Sequence, residues 1–372
     1  MSLPLNPQEI VSLAPLNREP SPPEMDQAIR EATLAVDSLD WLQSGDTVLI
    51  KPVLNSGKPY PSTTSPLAIA SMVRLLRGRG AGRVIVADMS GVGHLDQKPE
   101  GCKGSSRALA KSAGLFNPVL EAGAEWAFFE ESGWDSFYEE PPAPGSHWRG
   151  GVTLPNILRE VDHIVSMPRC SRHALLGNTL ALKSVVGYMR YDTRLEYHHD
   201  AKTIQEKTAE ANTVPTLLQK QRLVVTAADK VLATFGPDLG YVIAPPQGLV
   251  IASRSVVAHD MVSLAWLITH WRQAPWHRKQ ALNDPSSNWL VANLANRAVA
   301  GMLGGWKQSL SAEGIKHSPQ PDIWRDRTLQ RAFQLMGGVP NIQLQPTQPS
   351  LAPQTLAELA DLVALPAATR AA

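Results

Sequence analysis

A repeated alternation of short apolar runs with helical segments constrains the fold most. Five such runs occupy residues 47–50, 83–87, 163–167, 222–226 and 248–253. Several are followed by polar residues and a helical stretch, most clearly where Ser65 can cap a helix and Pro66 suits its first turn. Strands that alternate with helices favour a parallel sheet covered on both faces. The sequence therefore predicts an α/β fold with a mostly parallel, doubly wound (Rossmann-like) sheet.

Local composition divides the chain of 372 residues into three parts. Residues 1–22 are rich in proline, which predicts a segment that wraps the surface. Residues 23–335 are predicted to form a large α/β domain, as one unit or as two intimate halves that meet near 130–160, with a helical C-terminal extension. The stretch 130–150 is rich in Pro, Gly and acidic residues and predicts an exposed excursion. Residues 336–372 carry the Gln, Pro and Ala typical of a loosely attached tail.

Charge and cysteine content argue against several classes of function. The formal net charge of +1 lacks the basic excess of a nucleic-acid-binding domain. No apolar run reaches the roughly 18 residues of a membrane span, and the first residues lack the apolar stretch of a signal peptide, so we expect a cytoplasmic protein. Cys102 and Cys170 lie far apart, so cysteine alone cannot hold a 4Fe–4S cluster, which takes four thiolates.

The predicted carboxyl ends of the strands carry polar residues. Ligands of open α/β sheets bind at these ends, because loops and helix N-termini converge there. Lys51, Asp88 and Arg169 all follow predicted strands. Thr63 and Thr64 precede a helix start, where hydroxyls, backbone N–H groups and the helix dipole can bind an anion. These residues predict an anion site, although Lys51 could instead pair with a surface acid.

A second group of basic residues follows the strand at 163–167. It contains Arg169, Arg172 and His173 within five residues. The planar fork of arginine suits carboxylate or phosphate, so we predict that both arginines bind substrate; a solvated loop is the alternative. Lys183 lies inside an apolar run. It therefore either extends to the surface along its aliphatic stem or enters the site with a lowered pKa.

Two adjacent histidines, His198 and His199, allow two hypotheses. One of them, with His173 and a carboxylate, could form a divalent-metal site that leaves coordination positions open; the metal set is then His173, His198 and His199. Alternatively, a single histidine with a near-neutral pKa could act as a general acid or base. In that case the predicted catalytic set is His173, Lys183, His199 and Asp88.

Several sequence motifs, taken in order, resemble the family called domain of unknown function 362. The resemblance covers residues 46 to about 265 and implies an α/β fold, and it directs attention to Lys51, Asp88, His173, Lys183 and Asp260. Many relatives carry ferredoxin-like cysteine motifs that this chain lacks. The motifs are Val48-Leu-Ile-Lys-Pro52, Thr63-Thr-Ser-Pro66, Gly80-Ala-Gly-Arg-Val-Ile-Val-Ala-Asp88, Ile164-Val-Ser-Met-Pro-Arg169, His173, Thr179-Leu-Ala-Leu-Lys-Ser184, Gly236-Pro-Asp-Leu-Gly240, and Leu249-Val-Ile-Ala-Ser253 with Asp260.

Two functional hypotheses remain open at the level of sequence. The first is an enzyme that acts on a small carboxylate- or phosphate-bearing metabolite by His/Lys acid–base chemistry of the isomerase or lyase type, or by metal-dependent oxidoreduction. The alternative is a non-catalytic accessory protein that binds a metal or a metabolite. No P-loop, HExxH or GxSxG motif occurs, so nucleotide hydrolysis, zincin proteolysis and an α/β-hydrolase site have no support.

Overall fold

The computed structural model describes residues 5–173, 176–199, 203–234, 236–275 and 322–366. The strands and helices of these residues are numbered in chain order. The strands are β1 (Leu5–Asn17), β2 (Thr47–Lys51), β3 (Arg83–Asp88), β4 (Asp96–Lys98), β5 (Gly101–Lys103), β6 (Glu125–Phe128), β7 (Phe137–Glu140), β8 (Val152–Pro155), β9 (His163–Ser166), β10 (Ser171–His173), β11 (Gly177–Thr179), β12 (Gln221–Ala227), β13 (Val231–Leu232), β14 (Val242–Ile243), β15 (Gln247–Ser253) and β16 (Val339–Pro346).

Helices connect and cover these strands. The α-helices are α1 (Pro22–Val36), α2 (Pro66–Gly78), α3 (Ser106–Ser112), α4 (Phe116–Glu121), α5 (Ile157–Glu160), α6 (Ala181–Ser184), α7 (Tyr191–His199), α8 (Ile204–Ala211), α9 (Pro215–Lys220), α10 (Val256–Gln273), α11 (Arg327–Leu335) and α12 (Pro353–Val363). Three 3₁₀ segments lie at Phe129–Ser132, Val185–Gly187 and Ile323–Arg325. Within the described ranges, no helix is both long and apolar enough to cross a membrane.

The main sheet has eight strands in the order β16-β1-β15-β12-β9-β2-β3-β6. Five of its seven neighbouring pairs are parallel, and only β15 runs antiparallel to its neighbours β1 and β12. A second sheet has the order β11-β10-β13-β14. The predicted α/β class with a mostly parallel sheet is therefore confirmed.

Side chains of the strands alternate between two apolar layers, as the pleat of a strand requires. In β2, Val48 and Ile50 belong to the layer that packs under α1, α2 and α4. Leu49 between them points to the opposite face. Helix α10 and the C-terminal helices cover the other half of that opposite face. Burial on both faces explains why these strands read as unbroken apolar runs in the sequence.

The N-terminal segment and the C-terminal tail are both part of the main sheet, which corrects two predictions. Residues 5–17 form β1, which lies inside the sheet between β15 and β16 instead of wrapping the surface. Residues 339–346 form the edge strand β16, and α12 contributes Leu359 and Val363 to the apolar layer beneath α10. Proline in both segments obscured the strand signal, since proline is normally rare inside sheets.

The stretch 130–150 also differs in part from its prediction. It contains β7, which forms an antiparallel hairpin with β8. Phe137, Tyr138 and Trp148 from this stretch are buried in the apolar layer beneath the 3₁₀ turn at 185–187. These three aromatic side chains fix the segment against the sheet, so it is an anchored hairpin, and most of its other residues are exposed as predicted.

The arrangement of parallel strands positions the site. Strands β2, β3 and β9 run in the same direction, so Lys51, Asp88 and Ser166 all lie along the edge of the main sheet that the carboxyl ends of these strands form. Ser65 caps α2 next to this edge, accepting a hydrogen bond from the Ala68 backbone N–H. The second sheet begins just after β9 and lies beyond the same edge.

Candidate functional site

A cavity of about 340 Å³ lies where the carboxyl ends of β2 and β3 meet the second sheet. Helix α6, the 3₁₀ turn that follows it and helix α7 supply the rest of the wall. The polar lining consists of Lys51, Asn55, Asp88, His94, His173, Thr179, Lys183, Ser184, Arg194, His198 and Asp238. The lining therefore holds three Lys or Arg side chains and two carboxylates.

The floor of the cavity is an ion pair between the ends of two neighbouring strands. Lys51 Nζ lies 2.8 Å from Asp88 Oδ1, and both side chains are almost fully buried. Lys51 also donates to the Pro52 carbonyl at 2.6 Å, while Asp88 accepts the backbone N–H groups of Leu54 and Met89. Burial lowers the pKa of Lys51, against the opposing effect of Asp88. Both charged groups are therefore already paired, and the pair stabilises the base of the cavity.

Gly187 permits this pair to form. A Cβ on Gly187 would lie 2.3 Å from Asp88 Oδ1 and 2.5 Å from Lys51 Nζ. Arg194 fixes the same region, because its guanidinium donates to the carbonyls of Met89, Ser90, Gly187 and Met189. Burial lowers the pKa of Arg194 to about 10. Arg194 therefore braces two segments of the cavity wall.

Lys183 presents its amine to the cavity from the short helix α6. The start of α6 is fixed by Asp260 of α10, which accepts the backbone N–H groups of Ala181 and Leu182 at 2.8 Å each. Within the part of the chain that the structure describes, no hydrogen bond or ion pair reaches Lys183 Nζ. Burial, with the nearby charges of Arg169 and Arg194, lowers the pKa of Lys183 to about 7. Much of this amine is therefore neutral near physiological pH.

Three histidines line the cavity, and two of them, His173 and His198, are fixed by hydrogen bonds to the backbone. His173, at the end of β10, is buried and accepts the Leu176 backbone N–H at Nδ1, 3.3 Å away. Burial and the charge of Lys183 hold the pKa of His173 well below its usual value, so its ring is neutral at pH 7. His198 of α7 donates from Nδ1 to the Arg194 carbonyl at 2.7 Å. These contacts fix the orientation of both rings.

Arg169 is a buried guanidinium with unused donors. Its Nη1 donates to the Ser62 carbonyl, whereas Nε and Nη2 are buried without a hydrogen-bond partner among the described residues. Burial lowers its pKa to about 10, against the attraction of Asp238 and Asp88. Arg169 is not part of the cavity lining, yet its charge lowers the pKa of Lys183.

The remaining predicted binding residues lie away from the wall. Thr64 Oγ1 donates to the Met167 carbonyl and accepts from the Val53 N–H, so its hydroxyl joins a loop to the end of β9. Thr63 lies beside it, and its buried hydroxyl has no partner among the described residues. Arg172 donates to the Gly177 carbonyl and lines a small void against α10. It points away from the cavity because neighbouring residues of a strand, here Arg172 and His173, face opposite sides.

The predicted metal set is only partly described. His173 and His198 both line the cavity, but the side chain of His199 lies outside the described part of the structure. Among the described residues, no group of three or more His, Cys, Asp and Glu side chains is arranged to hold a metal ion. The metal set stays a prediction, as does the catalytic role of His199.

Sequence reasoning missed two charged residues of the cavity. Arg194 precedes His198 by one helical turn, and this i,i+4 spacing on one helix face was a usable signal. Asp238 lies in the Gly236–Gly240 motif that carried part of the family resemblance. Its carboxylate accepts from Asn55 Nδ2 at 2.6 Å and lies 3.6 Å from His94 Nε2. Asp238 thus joins the second sheet to two loops of the main sheet.

Comparison with known proteins gives a family but no close relative. The sequence profile of a family described as domain of unknown function (DUF362) matches residues 48–265. No curated protein sequence matches the chain. A solved structure, the lactate racemase apoprotein from Thermoanaerobacterium thermosaccharolyticum, aligns with 10% sequence identity and a TM-score of 0.39. That alignment covers 60% of this chain and 50% of the racemase chain.

Proposed function

This chain belongs to the DUF362 family, as its motifs predict, and we propose that it is an enzyme that binds a small anionic metabolite in the cavity and moves a proton with Lys183 and His173. The substrate is a carboxylate or a phosphate ester. The observation that carries the proposal is the Lys183 amine on the cavity wall, which has no partner among the described residues and a pKa of about 7.

The charges around the cavity support an anionic ligand. Lys51 and Asp88 neutralise each other within their ion pair. The remaining cations are Arg194 in the wall and Arg169 close by, with Lys183 adding a charge when it is protonated, against the single carboxylate of Asp238. The excess of positive charge around the cavity therefore favours a bound anion.

The two titratable groups on the wall support proton transfer. A general base works best when its pKa is near the working pH, and Lys183 meets that condition. His173 is neutral at pH 7, so it can accept a proton that the substrate or Lys183 releases. Removal of a proton from the carbon next to a carboxylate, the first step of many isomerases and lyases, needs no more than these groups and an anion site.

We further propose a cytoplasmic location. The only two cysteines, Cys102 and Cys170, are both free thiols. Free thiols and an absence of disulfides are usual in a reducing compartment.

Deuterium exchange tests the proposal. The protein would be incubated in D₂O with a panel of small 2-hydroxy, 2-amino and phosphorylated acids, and loss of the proton next to the carboxylate would be followed by NMR. We expect at least one acid to exchange with the wild type and not with His173→Ala. The matched control is His163→Ala, which removes a histidine at the start of β9, outside the cavity lining. Exchange at the wild-type rate in a folded His173→Ala protein would contradict the proposal.

Lys183→Arg separates an enzyme from a carrier, the alternative that the sequence leaves open. An enzyme should lose exchange in this variant, because guanidinium is not a base at neutral pH. A carrier that needs only the positive charge should keep its affinity for the ligand and never show exchange, with or without the substitution. Calorimetric titration of the acid into both proteins measures that affinity.

A further inference from the structure

Lys183 differs from three other buried or partly buried lysines of the described structure. Lys51 is paired with Asp88, Lys207 lies 3.1 Å from Glu196 Oε1, and Lys220 donates to two backbone carbonyls. Each of these three ammonium groups has a partner that favours its charged form. Lys183 faces a cavity and has no such partner among the described residues. Its amine is therefore available to a ligand.

The surroundings of Lys183 favour a nucleophile as well as a base. Apolar side chains, including Val53, Leu54, Met89 and Val186, form much of the cavity wall. The charged groups that act on the amine are Arg169, Arg194, Asp238 and Lys51, three of them cations that disfavour its protonation. A lysine in an apolar site beside other cations is the arrangement that activates an amine for attack on a carbonyl carbon.

The buried guanidinium of Arg169 adds a constraint on the ligand. Its Nη1 donates a hydrogen bond to the Ser62 carbonyl, whereas Nε and Nη2 have no partner among the described residues. Arg169 lies outside the cavity lining but is close enough to act on Lys183 electrostatically. Its positive charge therefore favours a ligand that carries a negative charge, such as a carboxylate, beside the carbonyl that meets Lys183.

We propose that the ligand of the cavity is a small oxo acid, whose negative charge is attracted by the cations around the cavity and whose ketone or aldehyde carbon forms an imine with Lys183. This inference rests on the proposed function and narrows its substrate class. It assigns a covalent role to the amine that the proposed function uses as a base.

The bond changes of this step balance without an oxidant or a reductant. The lone pair of the neutral amine attacks the carbonyl carbon, and the carbonyl oxygen takes a proton, giving a carbinolamine. The nitrogen loses a proton, and the hydroxyl group takes a proton and leaves as water, so that a C=N bond replaces the C=O bond. His173, neutral and on the same cavity wall, can carry a proton between nitrogen and oxygen. The protonated imine then acidifies the neighbouring C–H bond, which gives Lys183 a direct part in proton removal.

Reductive trapping tests the inference. The full-length protein would be mixed at pH 7 with sodium cyanoborohydride and pyruvate or 4-oxopentanoate, two oxo acids with different distances between carbonyl and carboxylate. Intact mass and peptide mapping then locate the reduced adduct. We expect one adduct per chain at Lys183 with at least one of the two acids, and none in Lys183→Arg. Lys111→Arg, which changes an exposed lysine, is the matched control and should trap like the wild type.

Arg169→Met tests the carboxylate half of the inference. This variant removes one of the positive charges that act on the cavity. We expect the wild type to trap the oxo acid at least about tenfold faster than acetone, a ketone without a carboxylate, and the variant to show a smaller preference. Equal trapping of acetone and oxo acids by the wild type would overturn the preference for an acid.

The outcomes separate this inference from the proposed function. If an acid exchanges deuterium in the wild type but no oxo acid yields an adduct at Lys183, the imine is overturned and the acid–base proposal stands. Adducts scattered over exposed lysines, at the same rate in Lys183→Arg, also overturn the imine. If neither exchange nor trapping occurs, both are overturned.

Discussion

The ammonium of Lys51 lies 2.8 Å from the carboxylate of Asp88, with each side chain at most 3% exposed. The two residues end neighbouring parallel strands, so the pair joins β2 to β3 at the base of the cavity. A buried pair of this kind is costly to break from one side, because the remaining charge stays buried without a partner. The pair is therefore part of the framework that holds the cavity open, and it leaves Lys183 as the reactive lysine.

The first prediction concerns stability. Lys51→Met should lower the free energy of unfolding by about 3–5 kcal/mol, the usual cost of breaking one side of a buried ion pair. Arg83→Ala removes one side of the exposed Arg83–Glu125 pair and should cost less than about 1 kcal/mol. Urea denaturation of both variants measures the difference. Similar losses in the two variants would contradict the structural role of Lys51.

The second prediction concerns the close approach at Gly187. Gly187→Ala should force apart Asp88 and Lys51, because the new Cβ would lie 2.3 Å and 2.5 Å from their charged atoms. We expect a loss of about 1–3 kcal/mol in stability, as for overpacking in a core, together with weaker ligand binding. Gly93→Ala is the control, since Gly93 lines the same cavity but has open space around it. Equal melting temperatures for the two variants would rule out this account of Gly187.

The third prediction contrasts two buried arginines. Arg169→Met should leave stability unchanged or raise it, because it removes a buried charge that has unsatisfied donors. The same change should weaken anion binding, because it removes a positive charge that acts on the cavity. Arg194→Met removes hydrogen bonds to four backbone carbonyls and should destabilise the protein by at least about 3 kcal/mol. Thermal unfolding and calorimetric titration distinguish the two behaviours, and a strongly destabilised Arg169→Met protein would argue for a structural role.

The fourth prediction concerns pH. The pKa of Lys183 is lowered to about 7, so the neutral amine gains population as the pH rises from 6 to 8 and changes little above that. Acylation of Lys183 by a small anhydride should follow the same curve, with a midpoint near pH 7, when measured by peptide mass spectrometry. Lysines with an ordinary pKa of about 10.4 should keep gaining reactivity up to pH 10. A midpoint above about 9 for Lys183 would contradict its assignment as the base.

The sequence predicted the elements whose signals are local. Alternating short apolar runs and helices located β2, β3, β9, β12 and β15, and Ser65 with Pro66 marked the start of α2 to the residue. Strands β1 and β16 were missed because they contain proline and polar residues. In addition, β1 pairs with β15 and with β16, and both pairings join distant parts of the chain. Long-range pairing of this kind leaves no periodic trace in either segment.

The candidate site was predictable where one strand end fixes one side chain. Lys51 and Asp88 end buried strands, and the structure brings them into the cavity wall with His173 and Lys183. Whether Arg172 faces the cavity depends on the register of β10, because alternate residues of a strand face opposite sides. No sequence signal sets that register. Asp238 comes from a loop of the second sheet, whose position follows from tertiary packing alone.

The most direct test of the central claim is a native mass spectrometry titration of the freshly purified wild type and Arg169→Met with a panel of small carboxylates and phosphates. We predict one small anion per wild-type chain, retained from purification or added from the panel, and a lower occupancy in the variant at the same concentrations. Equal occupancy in the two proteins, or no occupancy in the wild type with any member of the panel, would contradict the assignment of the cavity as an anion site.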